Sequence, residues 1–247
     1  MKVQRGDSVL IGGFIVTGDE PKNLIFRAIG PSLAAAGVRG ALADPELELY
    51  DSTGALVASN DNWTSLAAGS IPAGLEPTDP HESLIATTLL PGSYTAVLRG
   101  ANGTTGVGLF ELYDIDAAHS RIANISTRGV VEAADGAMIA GFIIGGQDPS
   151  PVLVRAIGPS LGMSGVAGTL ADPTLELRDA EGSLIFSNNN WRSDQEAQII
   201  ASTIPPASDK EAAIMATLIP GSYTATVRGV GGTTGVALVE VYNLGTP

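Results

Sequence analysis

Along most of the chain apolar residues alternate with polar ones, and the runs are broken by Gly, Pro, Asn and Asp. Tyr94, Ala96 and Leu98 alternate with Thr95, Val97 and Arg99, just as Tyr223, Ala225 and Val227 alternate with Thr224, Thr226 and Arg228. A period of two is the signature of a strand with one face buried. Leu47 and Leu49 alternate with Glu46, Glu48 and Tyr50, then Asp51, Ser52, Thr53 and Gly54 supply a turn and residues 55–59 return. That pattern predicts a hairpin, repeated at 175–187. Together with strands expected at 138–144, 152–157, 213–218, 222–228 and 236–242, it gives about seven strands per half and predicts a β-sandwich. Helix is expected only in short pieces at 32–36 and 194–201, with Ser32 or Asp194 near an N-cap. The expected core holds Phe26, Leu47, Leu49, Tyr94, Ala96 and Phe110, with Val154, Leu175, Leu177, Tyr223, Ala225 and Val239 at matching places.

The halves are copies of one another. RAIGPSL stands at 27–33 and 155–161, LADP at 42–45 and 170–173, and the two tryptophans are Trp63 and Trp191. PGSYTA at 91–96 and 220–225 and GTTGV at 103–107 and 232–236 follow after a one-residue insertion in the second copy. The repeat is too long for a solenoid, so each copy is expected to have its own core. The expected architecture is all-β, two tandem homologous β-sandwich domains of jelly-roll or Ig-like type, spanning 1–118 and 119–247 and joined between Asp114 and Arg121. One segment is unmatched. Gly129 aligns with Met1, so the stretch from Arg121 to Arg128, with Ile122, Asn124 and Ser126 alternating with Ala123, Ile125 and Thr127, has no counterpart in the first copy. If the segment belongs to the domain after it, the first domain lacks its first strand, which is the expectation; if it belongs to the domain before it, the second domain lacks one. The vacant place is to be filled by another chain or by residues of a longer polypeptide, because natural sheets do not leave such edges bare.

Composition narrows the possible partners. The 247 residues carry 13 Lys+Arg against 26 Asp+Glu, a net charge of −13, which argues against nucleic acid and anionic membrane. No apolar run approaches the ~20 residues of a membrane span, so no membrane insertion is expected. The N-terminal run VLIGGFI recurs inside the chain as AMIAGFI and so reads as fold rather than signal peptide. Without cysteine there is no thiolate metal site, disulfide or cysteine nucleophile, and His81 and His119 are the only histidines.

Few residues offer chemistry. Residues 158–162 satisfy G-x-S-x-G, but no histidine follows and Ala34 replaces the last glycine in the first copy, so a Gly-Pro turn is the better reading. Glu46 and Glu48 share a strand face, and i and i+2 of one strand could reach the about 5–10 Å separation of a glycosidase pair, but facing solvent is the better reading. Oxygen-rich side chains at the strand ends could take calcium, through Asp44 or Asp51 with Asn60 and Asp61, and through Asp172 or Asp179 with Asn188. Calcium is the one cofactor the residues suggest. Trp63 and Trp191 could stack on sugars or plug the core. Arg27 and Arg155 sit mid-strand among apolar groups and need carboxylate partners, with Glu82 and Glu211, or Asp44 and Asp172, available in both copies.

The order RAIGPSL, LADPxLELxDxxG, NxNW, PGSYTA, GTTGVxLxExY resembles a tandem module of large secreted or surface bacterial proteins. There NISTR and a VLIGGFI-like strand precede the same motifs, so Met1 looks like an internal residue of a longer chain. Residues 47–99 are also similar to the bacterial pre-peptidase C-terminal domain, a β-sandwich appended to secreted hydrolases. Both resemblances imply an extracellular or cell-surface, non-catalytic module. The leading expectation is a structural or adhesive module whose partners are copies of itself or neighbouring modules, assembling by strand complementation into a filament or dimer. The second is a carbohydrate-binding accessory module of a secreted hydrolase, with glycans as partners. An autonomous hydrolase comes third.

Overall fold

The computed structural model describes all residues except 7, 68, 70, 116–120, 135, 246 and 247, so most of the expected linker lies outside the described residues. The chain divides into two compact units, Met1–Ala123 and Asn124–Pro247. Both are all-β.

In the first unit the strands are β1 (Lys2–Val3), β2 (Leu10–Thr17), β3 (Lys22–Ile29), β4 (Pro45–Asp51), β5 (Leu56–Asn60), β6 (Ser83–Leu89), β7 (Gly92–Gly100), β8 (Gly106–Val107) and β9 (Leu109–Asp114), with one short helix, α1 (Pro31–Ala35), after β3. One sheet has the order β2-β7-β4-β5 and the other the order β6-β3-β9, all antiparallel. Leu10, Phe14, Leu47, Leu49, Ala96 and Leu98 from the first sheet meet Leu24, Phe26, Ala28 and Ile85 from the second, and Tyr94 and Phe110 pack against them. This is a β-sandwich with the expected core. β3 is buried on both faces, because Ile25 and Leu84 point the other way and are covered by Trp63, Leu66, Ile71 and Leu75 of the 62–82 loop. Its sequence, Leu-Ile-Phe, is accordingly continuous rather than alternating.

The second unit repeats the plan. Its strands are β10 (Arg121–Val131), which begins in the first unit, β11 (Met138–Ile144), β12 (Ser150–Ile157), β13 (Pro173–Arg178), β14 (Leu184–Asn188), β15 (Ala212–Leu218), β16 (Gly221–Gly229) and β17 (Gly235–Asn243). One sheet has the order β11-β16-β13-β14, and the other the order β15-β12-β17-β10. A helix, α2 (Glu196–Ala201), replaces part of the loop over the second sheet, and its Ile199 joins Trp191, Leu153 and Ala213 in a small outer core.

The helix starts differ from expectation. Gly30 and Gln195 occupy the N-cap positions and neither helix has a side-chain cap. Ser32 lies inside its helix and uses its hydroxyl on Glu82. Gly30 and Gly158 of the two RAIGPSL motifs are explained by contact, since a Cβ at either would stand 2.3 Å from the carbonyl oxygen of Leu42 or Leu170. The same reasoning links Gly12 to Phe110. A Cβ at Gly12 would come within 2.4 Å of that ring, and in the second copy, where the smaller Val239 matches Phe110, Ala140 matches Gly12.

Candidate functional site

Arg27 stands mid-strand on β3, directly opposite Leu84 on one side and Glu111 on the other. Its Nε and Nη2 both donate to Glu111 Oε2, at 2.8 and 2.5 Å, and Nη1 donates to the Leu75 carbonyl at 3.0 Å. Tyr113 donates its hydroxyl to the other oxygen of Glu111, and the guanidinium lies 5.1 Å from the Tyr113 ring centre. The second copy builds the same cluster from Arg155, Glu240, Tyr242 and the Ile204 carbonyl. Burial, and next the neighbouring carboxylate, push both tyrosines up, Tyr242 to about 12. A guanidinium with its donors placed and its charge neutralised is a structural brace.

This corrects the expected pairing. Glu82 and Glu211 are fully buried but do not touch the arginines. Glu82 Oε1 accepts from the Gly30 and Ser32 N–H groups and the Ser32 hydroxyl, and Oε2 from the Asp79 N–H. Glu211 does the same with Gly158, Ser160 and Ser208. Asp44 and Asp172 are not the partners either. Their backbone oxygens accept from Ala101 and Val230, and one carboxylate oxygen of each is buried without a hydrogen-bond partner. Ser160 of the G-x-S-x-G stretch thus serves to hold Glu211, and no histidine stands in its hydrogen-bond set.

Of the expected calcium ligands, Asp51 and Asp179 are held away from the asparagines by their own hairpin turns. Asp51 Oδ1 accepts from Thr53 N–H, Thr53 Oγ1 and Ala55 N–H, and Asp179 Oδ1 from Glu181 and Ser183 N–H, so each closes its hairpin turn. These bonds, the Thr53 hydroxyl first, hold the Asp51 carboxyl below its usual range. Asn60 lies at the opposite end of the hairpin, opposite Leu47. Its oxygen accepts from Leu84 N–H while its amide donates to Asn62 and Ser65, and Asn188 does likewise with Ala213, Asn190 and Ser193. Asp61 accepts from Asn62. Asp61 and Asp44 lie near Glu46, whose carboxyl is raised first by burial and then by Glu48 and Asp61. Among the described residues no three His, Asp or Glu side chains form a group that could hold a metal.

The tryptophans face inward. Trp191 is 2% exposed, donates its Nε1–H to the Ser208 carbonyl and carries the Arg192 guanidinium 4.1 Å from its ring centre. It has no free face for a sugar, which overturns its role as a stacking platform. Trp63 is half-buried and donates to the Asp79 carbonyl. Glu48 pairs with Arg99 and Glu176 with Arg178, at 3.1 and 2.8 Å, so one strand-face acid of each copy is ion-paired. Two cavities, of about 200 Å³ beside Arg27 and about 240 Å³ beside Gln195, are smaller than the roughly 300–1,000 Å³ of ordinary ligand sites.

The feature that separates the copies is a sheet edge. β17 has β12 on one side and residues 124–131 of β10 on the other, from Asn124↔Tyr242 to Val131↔Gly235. The matching strand β9 has β3 on one side. On its other side, among the described residues, β1 pairs with β8, Lys2↔Val107 and Val3↔Gly106, and Met1 bonds Gly108 in both directions. No described strand pairs with β9 on that side. Exposure follows. Val239, Glu240 and Val241 are buried, whereas the matching Phe110, Glu111 and Leu112 are half-exposed and Leu109 is 41% exposed.

Sequence reasoning missed Glu111, Glu240 and also Gln195, whose side-chain amide bonds both the N–H and the carbonyl of Met215 on the outer strand β15. The alternation in LFELYD and LVEVYN did place the Glu and Tyr on one strand face, which was the available signal.

No family model matches the chain, and no curated protein matches it. Among solved structures it is similar to a chain from the atomic structure of Sulfolobus Turreted Icosahedral Virus, at 10% identity and a TM-score of 0.28, over 98% of this chain and 88% of that one. It is also similar to a chain of PBCV-1 VP54 fitted into a reconstruction of the virophage Sputnik, at 9% identity and a TM-score of 0.25, over 97% and 95%. Among the described residues no helix is long and apolar enough to cross a membrane.

Proposed function

We propose that this chain is a non-catalytic structural module of an extracellular or cell-surface protein, and that its first unit takes up one additional β-strand along β9. The observation that supports this is the contrast between β17, flanked on both sides, and β9, flanked on one. The duplicate within the same chain supplies the pattern of the strand that fits: Asn124 buried with its amide on the Val241 carbonyl, Ile125 beside Val241, and Thr127 beside Val239. An added strand pairs with the backbone of β9 on the side away from β3 and covers Phe110 and Leu112. Arg27, Arg155, Glu82, Glu211, Asp51 and Asp179 are engaged in holding the fold, which supports an interaction role.

The test is binding of a labelled peptide with the sequence of Arg121–Val131 to the full chain, followed by fluorescence anisotropy. Saturable binding, absent with a scrambled peptide, is the expected result. A chain that ignores the peptide overturns the proposal.

A further inference from the structure

Comparison of the two units strand by strand singles out a second edge. β11 pairs with β16 in the register that β2 keeps with β7. Met138↔Val227, Gly141↔Thr224 and Ile144↔Gly221 stand where Leu10↔Leu98, Gly13↔Thr95 and Val16↔Gly92 stand in the first unit. The sequences correspond as well, MIAGFII against LIGGFIV. Their exposure does not. Phe14 and Val16 are 1% and 2% exposed, whereas Phe142 and Ile144 are half-buried. Ile11 and Ile15 are half-buried, whereas Ile139 and Ile143 are 58% and 73% exposed. Beyond its first residue, every position of β11 is more open than its match on β2.

The neighbours account for this. In the sheet order β2 stands between β7 and β10, while β11 is outermost, with β16 on one side and no described strand on the other. The 11 residues of β10 exceed its ladder with β17, which starts at Asn124. Residues 121–123 belong to the first unit, and their Ile122 packs against the core cluster that holds Phe14 and Val16. Nor is β11 guarded as a bare edge usually is, since its 7 residues include neither a charge nor a proline.

We infer that β11 is a second strand-accepting edge, whose occupant is the opening of a β10-type strand from a further copy of the repeat, with an apolar side chain at the place of Ile122. The duplicate within the chain names this occupant, because the match of β11 has β10 beside it. Such a strand pairs with the outer backbone of β11 and covers Phe142 and Ile144, as Ile122 helps to cover Phe14 and Val16. Different parts of one sequence then serve the two open edges, residues 121–123 for β11 and residues 124–131 for β9. β11 takes its strand whether or not β9 takes one.

Amide hydrogen exchange of the full chain with the Arg121–Val131 peptide at millimolar concentration reads both edges at once. The amides of β11 are expected to gain protection. A peptide carrying Ile122→Asp is expected to occupy β11 about tenfold more weakly and still to protect β9. A chain with Ile139→Lys and Ile143→Lys, both at exposed positions, is expected to lose the effect on β11 alone. No protection of β11 by the unaltered peptide, or equal protection by the Ile122→Asp peptide or of the doubly substituted chain, would overturn the inference. Protection of β11 that grows with chain concentration in the absence of peptide would assign the edge to a second copy and overturn it too. Protection of β9 without any on β11 refutes the second edge while the reading of β9 stands, and the converse result separates them the other way.

Discussion

Arg27 and Glu111 stand directly opposite each other on neighbouring antiparallel strands, their side chains joined at 2.5 Å, and Arg155 and Glu240 repeat the relationship in the second unit. The repeated pair ties the middle of the second sheet to the strand whose other side distinguishes the copies. In the first unit the Glu111 side chain is 22% exposed, and in the second Glu240 is 10% exposed, since β10 covers that side of β17. The brace is the same and its burial is not.

Removing the arginine therefore costs more in the second unit. Arg155→Met leaves a buried carboxylate without its cation and is expected to destabilise by about 3–5 kcal/mol, Arg27→Met by less. Urea unfolding of both variants checks the order. Equal losses would show that the covering strand contributes nothing to the energetics of the pair.

Glu211→Gln and Ser160→Ala each break the set of bonds that anchors the turn after β12. Hydrogen bonds to a charged group contribute about 1.5–3 kcal/mol, so Glu211→Gln is expected to lose that much and Ser160→Ala about 1–2 kcal/mol. Thermal unfolding measures both. A Ser160→Ala chain as stable as wild type would contradict the anchoring role.

Tyr242 sets a pH limit. Its pKa in the folded chain is about 12, above the ordinary 10, because burial and Glu240 disfavour the tyrosinate. The folded state thus holds its proton more tightly than the unfolded chain. The associated stability is complete below pH 10 and is lost as pH rises from 10 through about 12. Urea midpoints between pH 9 and 12 are expected to fall less steeply for Tyr242→Phe than for wild type, and parallel curves would count against it.

The two tryptophans differ in access. Acrylamide is expected to quench Trp63 and to leave Trp191, at 2% exposure, almost untouched. Single-tryptophan variants with phenylalanine at the other position separate the signals. Easy quenching of Trp191 would reopen it as a binding face.

Much of the fold was legible because alternation is local. Tyr94, Ala96 and Leu98, or Leu47 and Leu49, declare their faces without reference to any other strand, and the turn at Asp51 to Gly54 declares the hairpin. The arginine partners were not legible, because they depend on which strand lies beside β3 and in what register. Glu82 precedes β6 by one residue, and the pairing of Ala28 with Ser83 carries it past Arg27 to the Gly30 N–H. Glu111 falls opposite Arg27 only once β9 is known to be the neighbour. Asp51 dropped out of the calcium set for a related reason, since Asp51 and Asn60 are close in sequence but occupy opposite ends of one hairpin. Trp191 was ambiguous because a plug and a platform have the same local sequence, and only the loop that covers the second sheet decides between them.

The central claim, that β9 presents an edge built to receive a strand, is tested most directly by amide hydrogen exchange of the full chain with and without the Arg121–Val131 peptide. Without peptide, the amides of β9 that point away from β3 are expected to exchange faster than their matches in β17, and with peptide they are expected to become comparably protected. Equal protection of β9 and β17 in the free chain, or no change on β9 at saturating peptide, would contradict the account.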